Sequence, residues 1–285
     1  MNSEIQKRVL AIHDISCVGK CSLTVALPII SATGIEVPSL PTAVLSTHTG
    51  GFTGYTYRDL TEDMIPILNH WKSLGLQFEG IYTGFLGSFE QIDIVSQIID
   101  EVGKKAKVIV DPVMADNGKL YAIFPENFPQ GMKKLCSKAD LILPNITEAV
   151  LMLGKEYVEG PYTREYIENL LKELSGLGPK HIVLTGVYFE MHNLGAACYD
   201  AETGKISYAF AEKIPGYYHG TGDVFSSVVT ACVMNDVALD RAIEIAVDFT
   251  QKSIVRTYKA GTDVKYGVNF EAGIPRLLNQ LGLKE

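Results

Sequence analysis

Between Gly216 and Thr230 the chain reads Gly-Tyr-Tyr-His-Gly-Thr-Gly-Asp-Val-Phe-Ser-Ser-Val-Val-Thr, a glycine-rich turn leading into an apolar run with an aspartate at its start. Val224, Val228, Ala231 and Cys232, with Phe225, Val229 and Val233 beside them, recur at helical spacing and predict a buried helix from about Thr221. The first N–H groups of such a helix have no partners inside it, and Gly220 and Gly222 carry no Cβ to hold an anion away. Gly220, Thr221 and Gly222 therefore read as a phosphate cradle with Asp223 as a base beside it. The same residues also suit a plain helix start, with Thr221 as N-cap and Asp223 complementing the helix dipole. By themselves they leave both readings open.

The elements that must position this turn alternate along the chain. Arg8–Asp14 reads as a buried strand, 22–33 as a helix stopping at Gly34, and 37–46 as an irregular or edge strand because of its two prolines. A polar glycine-rich loop follows at 47–54, then a helix over 60–74, a short strand over 80–84 and an amphipathic helix over 89–102. Residues 107–113 hold the clearest strand, which ends on the acid Asp111. Residues 139–145 read as a strand, followed by a helix from Thr147 to about Gly154. Further helices are expected over 163–177, 221–235, 239–258 and 270–282, with a strand at 181–186 and a hairpin of 195–199 with 205–210.

This order predicts an α/β protein with a doubly wound, mostly parallel sheet, helices on both faces and a small β excursion, all in one domain over 1–285. Ligands in such sheets bind beyond the carboxyl ends of the strands, where Asp111, Asn145, Thr185 and the 220–223 turn would meet.

Composition narrows the partners. A net charge of −8 disfavours nucleic acid and anionic membranes, which need a basic surface, while a phosphate site can still be built locally. The polar stretch Met1–Arg8 and the lack of any long apolar run predict neither a leader nor a membrane span, hence a cytoplasmic protein. Five cysteines without paired spacing indicate neither a disulfide framework nor a zinc site. Cys-Val-Gly-Lys-Cys-Ser at 17–22 fails the phosphate-binding P-loop pattern, which needs an earlier glycine where Asp14 stands and a hydroxyl where Cys21 stands.

His-Gly-Thr-Gly-Asp opening an apolar helix in the last third of the chain resembles the signature of the ribokinase-like small-molecule kinases. The resemblance implies that Asp223 takes the proton from a substrate hydroxyl while Gly220, Thr221 and Gly222 hold the transferring phosphoryl group. Asp111-Pro-Val-Met-Ala-Asp116 and Pro144-Asn145-Ile-Thr-Glu148 resemble two further segments of that family. They imply ATP and Mg²⁺, with Asp111, Asp116 and Glu148 around the metal, Asn145 and Thr185 near the nucleotide, and a monovalent cation left open. Each has a plainer alternative, such as a strand end, an Asx turn or a helix start.

Ser46-Thr-His-Thr-Gly50 and Tyr82-Thr-Gly-Phe85 resemble substrate elements of the pyridoxal kinases, which would bring His48, Thr49 and Phe85 to the ring of a B6 vitamer. Where those kinases present Ser-His after the first strand, this chain has His13-Asp14-Ile-Ser16, so His13, Asp14 or Ser16 faces the substrate. The acid resembles the hydroxymethylpyrimidine kinases instead. The expectation is a homodimeric pyridoxal kinase, against a hydroxymethylpyrimidine kinase or a silent vitamer-binding protein.

Overall fold

A computed structural model describes residues 6–283; the first five residues of the polar Met1–Arg8 stretch lie outside this range. Eleven strands are assigned: β1 (Val9–Ser16), β2 (Ser39–Leu45), β3 (Tyr57–Asp59), β4 (Gly80–Thr83), β5 (Lys107–Val110), β6 (Ala115–Asp116), β7 (Lys119–Leu120), β8 (Leu141–Ile142), β9 (His181–Val187), β10 (Asn193–Asp200) and β11 (Lys205–Glu212). The helices are α1 (Leu23–Ser31), α2 (Thr61–Ser73), α3 (Phe89–Val102), α4 (Phe128–Cys136), α5 (Ile146–Leu153), α6 (Arg164–Ser175), α7 (Thr221–Met234), α8 (Leu239–Ala260) and α9 (Ile274–Leu281).

Nine strands form one sheet in the order β11-β10-β9-β8-β5-β4-β1-β2-β3. The six from β9 to β2 run parallel, while β10, β11 and β3 are antiparallel to their neighbours. Alternation along each strand divides the apolar residues between two faces. Leu10, Ile12, Val108 and Val110 join the core beneath α2 to α6, whereas Val9, Tyr82 and Ile109 join the one beneath α1, α7 and α8. The doubly wound mostly parallel sheet, helices on both faces and β10–β11 excursion match the expected fold.

Several elements differ from expectation. β2 has the irregularity expected of it, its register against β1 shifting between His13 and Ile15, but it is no edge strand, because β3 pairs with its residues 43–45 on the outer side; Pro41 lies beyond β3 and is spared a missing ladder bond there. β3, with three exposed residues, carried no apolar signal. Of the 139–145 run only Leu141–Ile142 is strand, and β5 ends at Val110, which leaves Asp111 just past it.

The sequence carries no helical signal for α4, because Pro129 and Gly131 lower its propensity. Pro129 sits in the first turn, where no N–H is needed, and a Cβ at Gly131 would lie 2.6 Å from Cε1 of Phe89 on α3. The β6–β7 hairpin, two residues a side, was also unforeseen. Among the described residues no helix is long and apolar enough to cross a membrane.

Candidate active site

The carboxyl ends of β1, β4, β5, β8 and β9 open into one cleft of about 900 Å³, closed on its far side by the turn into α7. Asp14, Ser16, His48, Thr49, Phe85, Asp111, Asp116, Asn145, Glu148, Thr185 and the whole 220–223 turn line it. His13 does not: the alternation of β1 turns it away, fully buried against the edge of Tyr82 with ring centroids 4.5 Å apart. Burial holds its pKa down to about 3, so it stays neutral. A Cβ at Gly84 would lie 2.4 Å from its Nδ1, so the β4 end closes over the ring.

The turn before α7 is built by close approach. Gly220 is left-handed, at φ 72°, and a Cβ there would stand 2.0 Å from the Lys20 carbonyl oxygen. Gly222 meets nothing within 4 Å, so its surface toward the cleft is free. Thr221 donates its hydroxyl to the Tyr218 carbonyl rather than capping the helix, which leaves the first N–H groups of α7 unclaimed by a side-chain cap. Lys20, the residue a P-loop would aim at phosphate, points instead to Glu271 at 3.0 Å and Asn269 at 3.3 Å.

Three acids crowd the middle of the cleft. Desolvation raises the Asp223 carboxyl from its ordinary 3.8 to about 7; Asp14 adds to the rise and the Ser22 backbone N–H opposes it. Asp111 is raised by desolvation and by Asp223, with Ser226 hydrogen bonding against the shift. Glu148 is likewise pushed up from the ordinary carboxylate range, by burial and then by Asp111. It also forms a capping box on α5: its oxygens accept from the N–H groups of Asn145 at 2.8 Å and Met114 at 3.1 Å, while Asn145 Oδ1 accepts from the Glu148 N–H at 2.9 Å. Asp116 accepts from the Tyr217 phenol at 2.6 Å and from the Asn117 N–H at 2.8 Å.

This is an all-oxygen, anionic donor set of the kind that suits Mg²⁺. Asp111, Asp116 and Glu148 do not form a group with all three carboxylates within 4.8 Å; among the described residues that spacing occurs only at His181, Asp200 and Glu202. Mg²⁺ characteristically keeps waters and substrate phosphate oxygens beside one or two carboxylates, and the open cleft fits that mode. When bound it would supply positive charge to the phosphate oxygens.

Because these carboxyls hold protons more tightly folded than unfolded, the stability they contribute is complete below the ordinary carboxylate range and is lost as pH rises toward 7. The thermal midpoint of Asp111→Asn, relative to that of the parent, should accordingly climb between about pH 4 and pH 7 in metal-free buffer. A constant difference across that range in a thermal denaturation series would refute the shift.

Phe85 and Tyr121 give part of the cleft an aromatic lining. Phe85 lies 5.6 Å from Phe124, centroid to centroid, and Thr49 is exposed. His48 has both nitrogens engaged: Nδ1 accepts from the Gly50 N–H at 3.0 Å, so Nε2 donates to the Lys265 carbonyl at 2.7 Å. It thus fixes the 47–54 loop, and the ring rather than a free nitrogen faces the cavity. Ser22, Ser226 and Tyr217 also border the cleft, although no motif in the sequence assigns them a role. A hydroxyl at a helix start was the available signal for the first, and none existed for the long-range partners.

The sheet topology, the glycine turn and the acids at the strand ends define a ribokinase-like small-molecule kinase fold. Residues 27–268 match the family model described as phosphomethylpyrimidine kinase, and the chain belongs to that family. A candidate phosphomethylpyrimidine kinase from Bacteroides thetaiotaomicron, crystallised with pyridoxal, superposes with a TM-score of 0.91 at 37% identity over 96% of both chains. Pyridoxal kinase from Lactobacillus plantarum gives 0.88 at 30% identity, covering 97% of this chain and 98% of that one. The Bacillus subtilis pyridoxine kinase is 28% identical over 185 residues, 65% of this chain and 66% of that protein, just under two thirds of its length.

Proposed function

We propose that this protein transfers the γ-phosphoryl group of ATP, with Mg²⁺, to the 5′-hydroxymethyl group of a B6 vitamer: pyridoxal, pyridoxamine or pyridoxine. The observation that carries the reading is that Asp223, a carboxyl pushed up to about 7, lines the same cleft as the open glycine turn and Phe85. A base is most effective when its pKa lies near the working pH. Phosphoryl transfer otherwise demands chiefly alignment and positive charge around the moving group. The N–H groups of the 220–222 turn supply part of that charge, and a metal among Asp111, Asp116 and Glu148 the rest. Asn145 and Thr185 border the nucleotide side. Phe85 offers a flat ring face to a heteroaromatic substrate.

The pyridoxal held by the Bacteroides protein supports a vitamer substrate. The family description and the carboxylate of Asp14 favour hydroxymethylpyrimidine as the second reading. Initial rates of ADP formation on the three vitamers and on hydroxymethylpyrimidine separate them. Faster turnover of a vitamer is expected; faster turnover of the pyrimidine would reverse the assignment, and no turnover of any alcohol would leave a binding protein. A cytoplasmic homodimer completes the reading.

A further inference from the structure

The β1–α1 turn contains a serine in a backbone conformation that serine seldom adopts. Ser22 has φ 51° and ψ −129°, one of three non-glycine residues with positive φ among those described. Such a conformation is strained and persists only where the surroundings enforce it. Ser22 is also the N-cap of α1, a position where a serine hydroxyl ordinarily accepts from the helix N–H groups. Here it makes no such bond. Its hydroxyl donates instead to Asp14 Oδ1 at 2.5 Å, while Ser16 donates to Oδ2 at 3.1 Å.

Asp14, Ser16 and Ser22 are all buried, at 5%, 1% and 6% exposure, yet all three border the cleft. Both carboxylate oxygens are thus oriented by hydroxyl donors, and each keeps a lone pair for a further donor. The titratable groups that sense Asp14 are Cys21 in its own turn, His48 in the 47–54 loop, Tyr57 on β3 and Asp223 on α7. None is a lysine or arginine, and His48 is held toward its neutral form by burial. A buried acid with two neutral donors and no cationic partner favours a ligand that brings an N–H or ammonium group.

We propose that Asp14 selects among the vitamers by accepting a hydrogen bond from the side-chain ammonium group of pyridoxamine, and that Ser22 is its positioning residue. The inference rests on the proposed B6 activity. The experiment compares Ser22→Gly, Ser22→Ala, Asp14→Asn and the Ser22→Gly/Asp14→Asn double variant with the parent, measuring kcat and KM on pyridoxamine and pyridoxal. Glycine suits the backbone angle, so Ser22→Gly should melt no lower than the parent.

If Ser22 acts through Asp14, both serine variants should lose about tenfold or more in kcat/KM on pyridoxamine, mainly through KM, and less than about threefold on pyridoxal. The double variant should then be no worse than Asp14→Asn alone. Unchanged vitamer ranking in Ser22→Gly, or losses that add in the double variant, would overturn the proposal while leaving the kinase assignment intact. Nucleotide-free titration of pyridoxamine gives the same comparison where turnover fails. A parent protein that neither phosphorylates nor binds any vitamer overturns both.

Discussion

Asp223→Asn is expected to lower the rate of phosphoryl transfer by about 10²–10⁴-fold while ATP binding persists. Amide for carboxyl is nearly isosteric, so the cradle stays in place and only the proton acceptor is lost. The carboxyl of Asp223 is raised to about 7, chiefly by desolvation. In the parent, kcat/KM should therefore rise with pH and level off above about 7 as the base ionises, and the residual activity of the variant should lack that limb. Stability moves the opposite way: Asp223→Asn should match the parent near pH 4 and exceed it near pH 8, where the parent carries a desolvated charge. Single-turnover rates with saturating ATP, alongside melting curves, measure both. An Asn variant as active as the parent would remove Asp223 from the chemistry.

The two glycines flanking Thr221 should respond oppositely to alanine. At Gly220 the left-handed angle alone costs about 1–2 kcal/mol, and a methyl group 2.0 Å from the Lys20 carbonyl forces the β1–α1 turn away from α7. We expect Gly220→Ala to lose at least about 2 kcal/mol of stability together with nearly all activity. Gly222 occupies the first turn of α7 with open space before it. Gly222→Ala should therefore hold or raise stability, by up to about 1 kcal/mol, since alanine is the better helix former. Its methyl group would nonetheless occupy the surface reserved for phosphate, and KM for ATP should rise. A Gly222→Ala enzyme with unaltered nucleotide kinetics would mean that the anion sits elsewhere.

Local sequence made part of this legible. The apolar run of β1, the apolar face of the Phe89–Val102 helix and the apolar residues after Asp223 are signals that burial broadly follows, although α7 also buries Ser226, Ser227 and Thr230 and leaves Val233 half-buried. Strands ending on Asp111 and Thr185 pointed to the carboxyl edge of the sheet, and that edge is where the cleft lies. The roles assigned within the cleft came from family resemblance rather than from spacing.

What stayed hidden depends on partners distant in the chain or on packing that overrides propensity. Tyr217 reaches Asp116 across 101 positions, and His48 reaches Lys265 across 217. Neither contact leaves a local trace. Helix α4 tolerates Pro129 in its first turn, and its Gly131 leaves room for the Phe89 ring, a packing relation that only the folded chain shows. His13 was indistinguishable from Asp14 as a substrate-facing residue until the strand phase was known, and one residue of phase decides it.

The most direct test of the account is a crystal structure of the protein with ADP and pyridoxal. The account predicts the 5′-hydroxymethyl oxygen within about 3 Å of the Asp223 carboxylate and the nucleotide phosphates against the 220–222 turn. A vitamer whose hydroxymethyl group points away from Asp223, or a nucleotide bound outside the cleft, would contradict it.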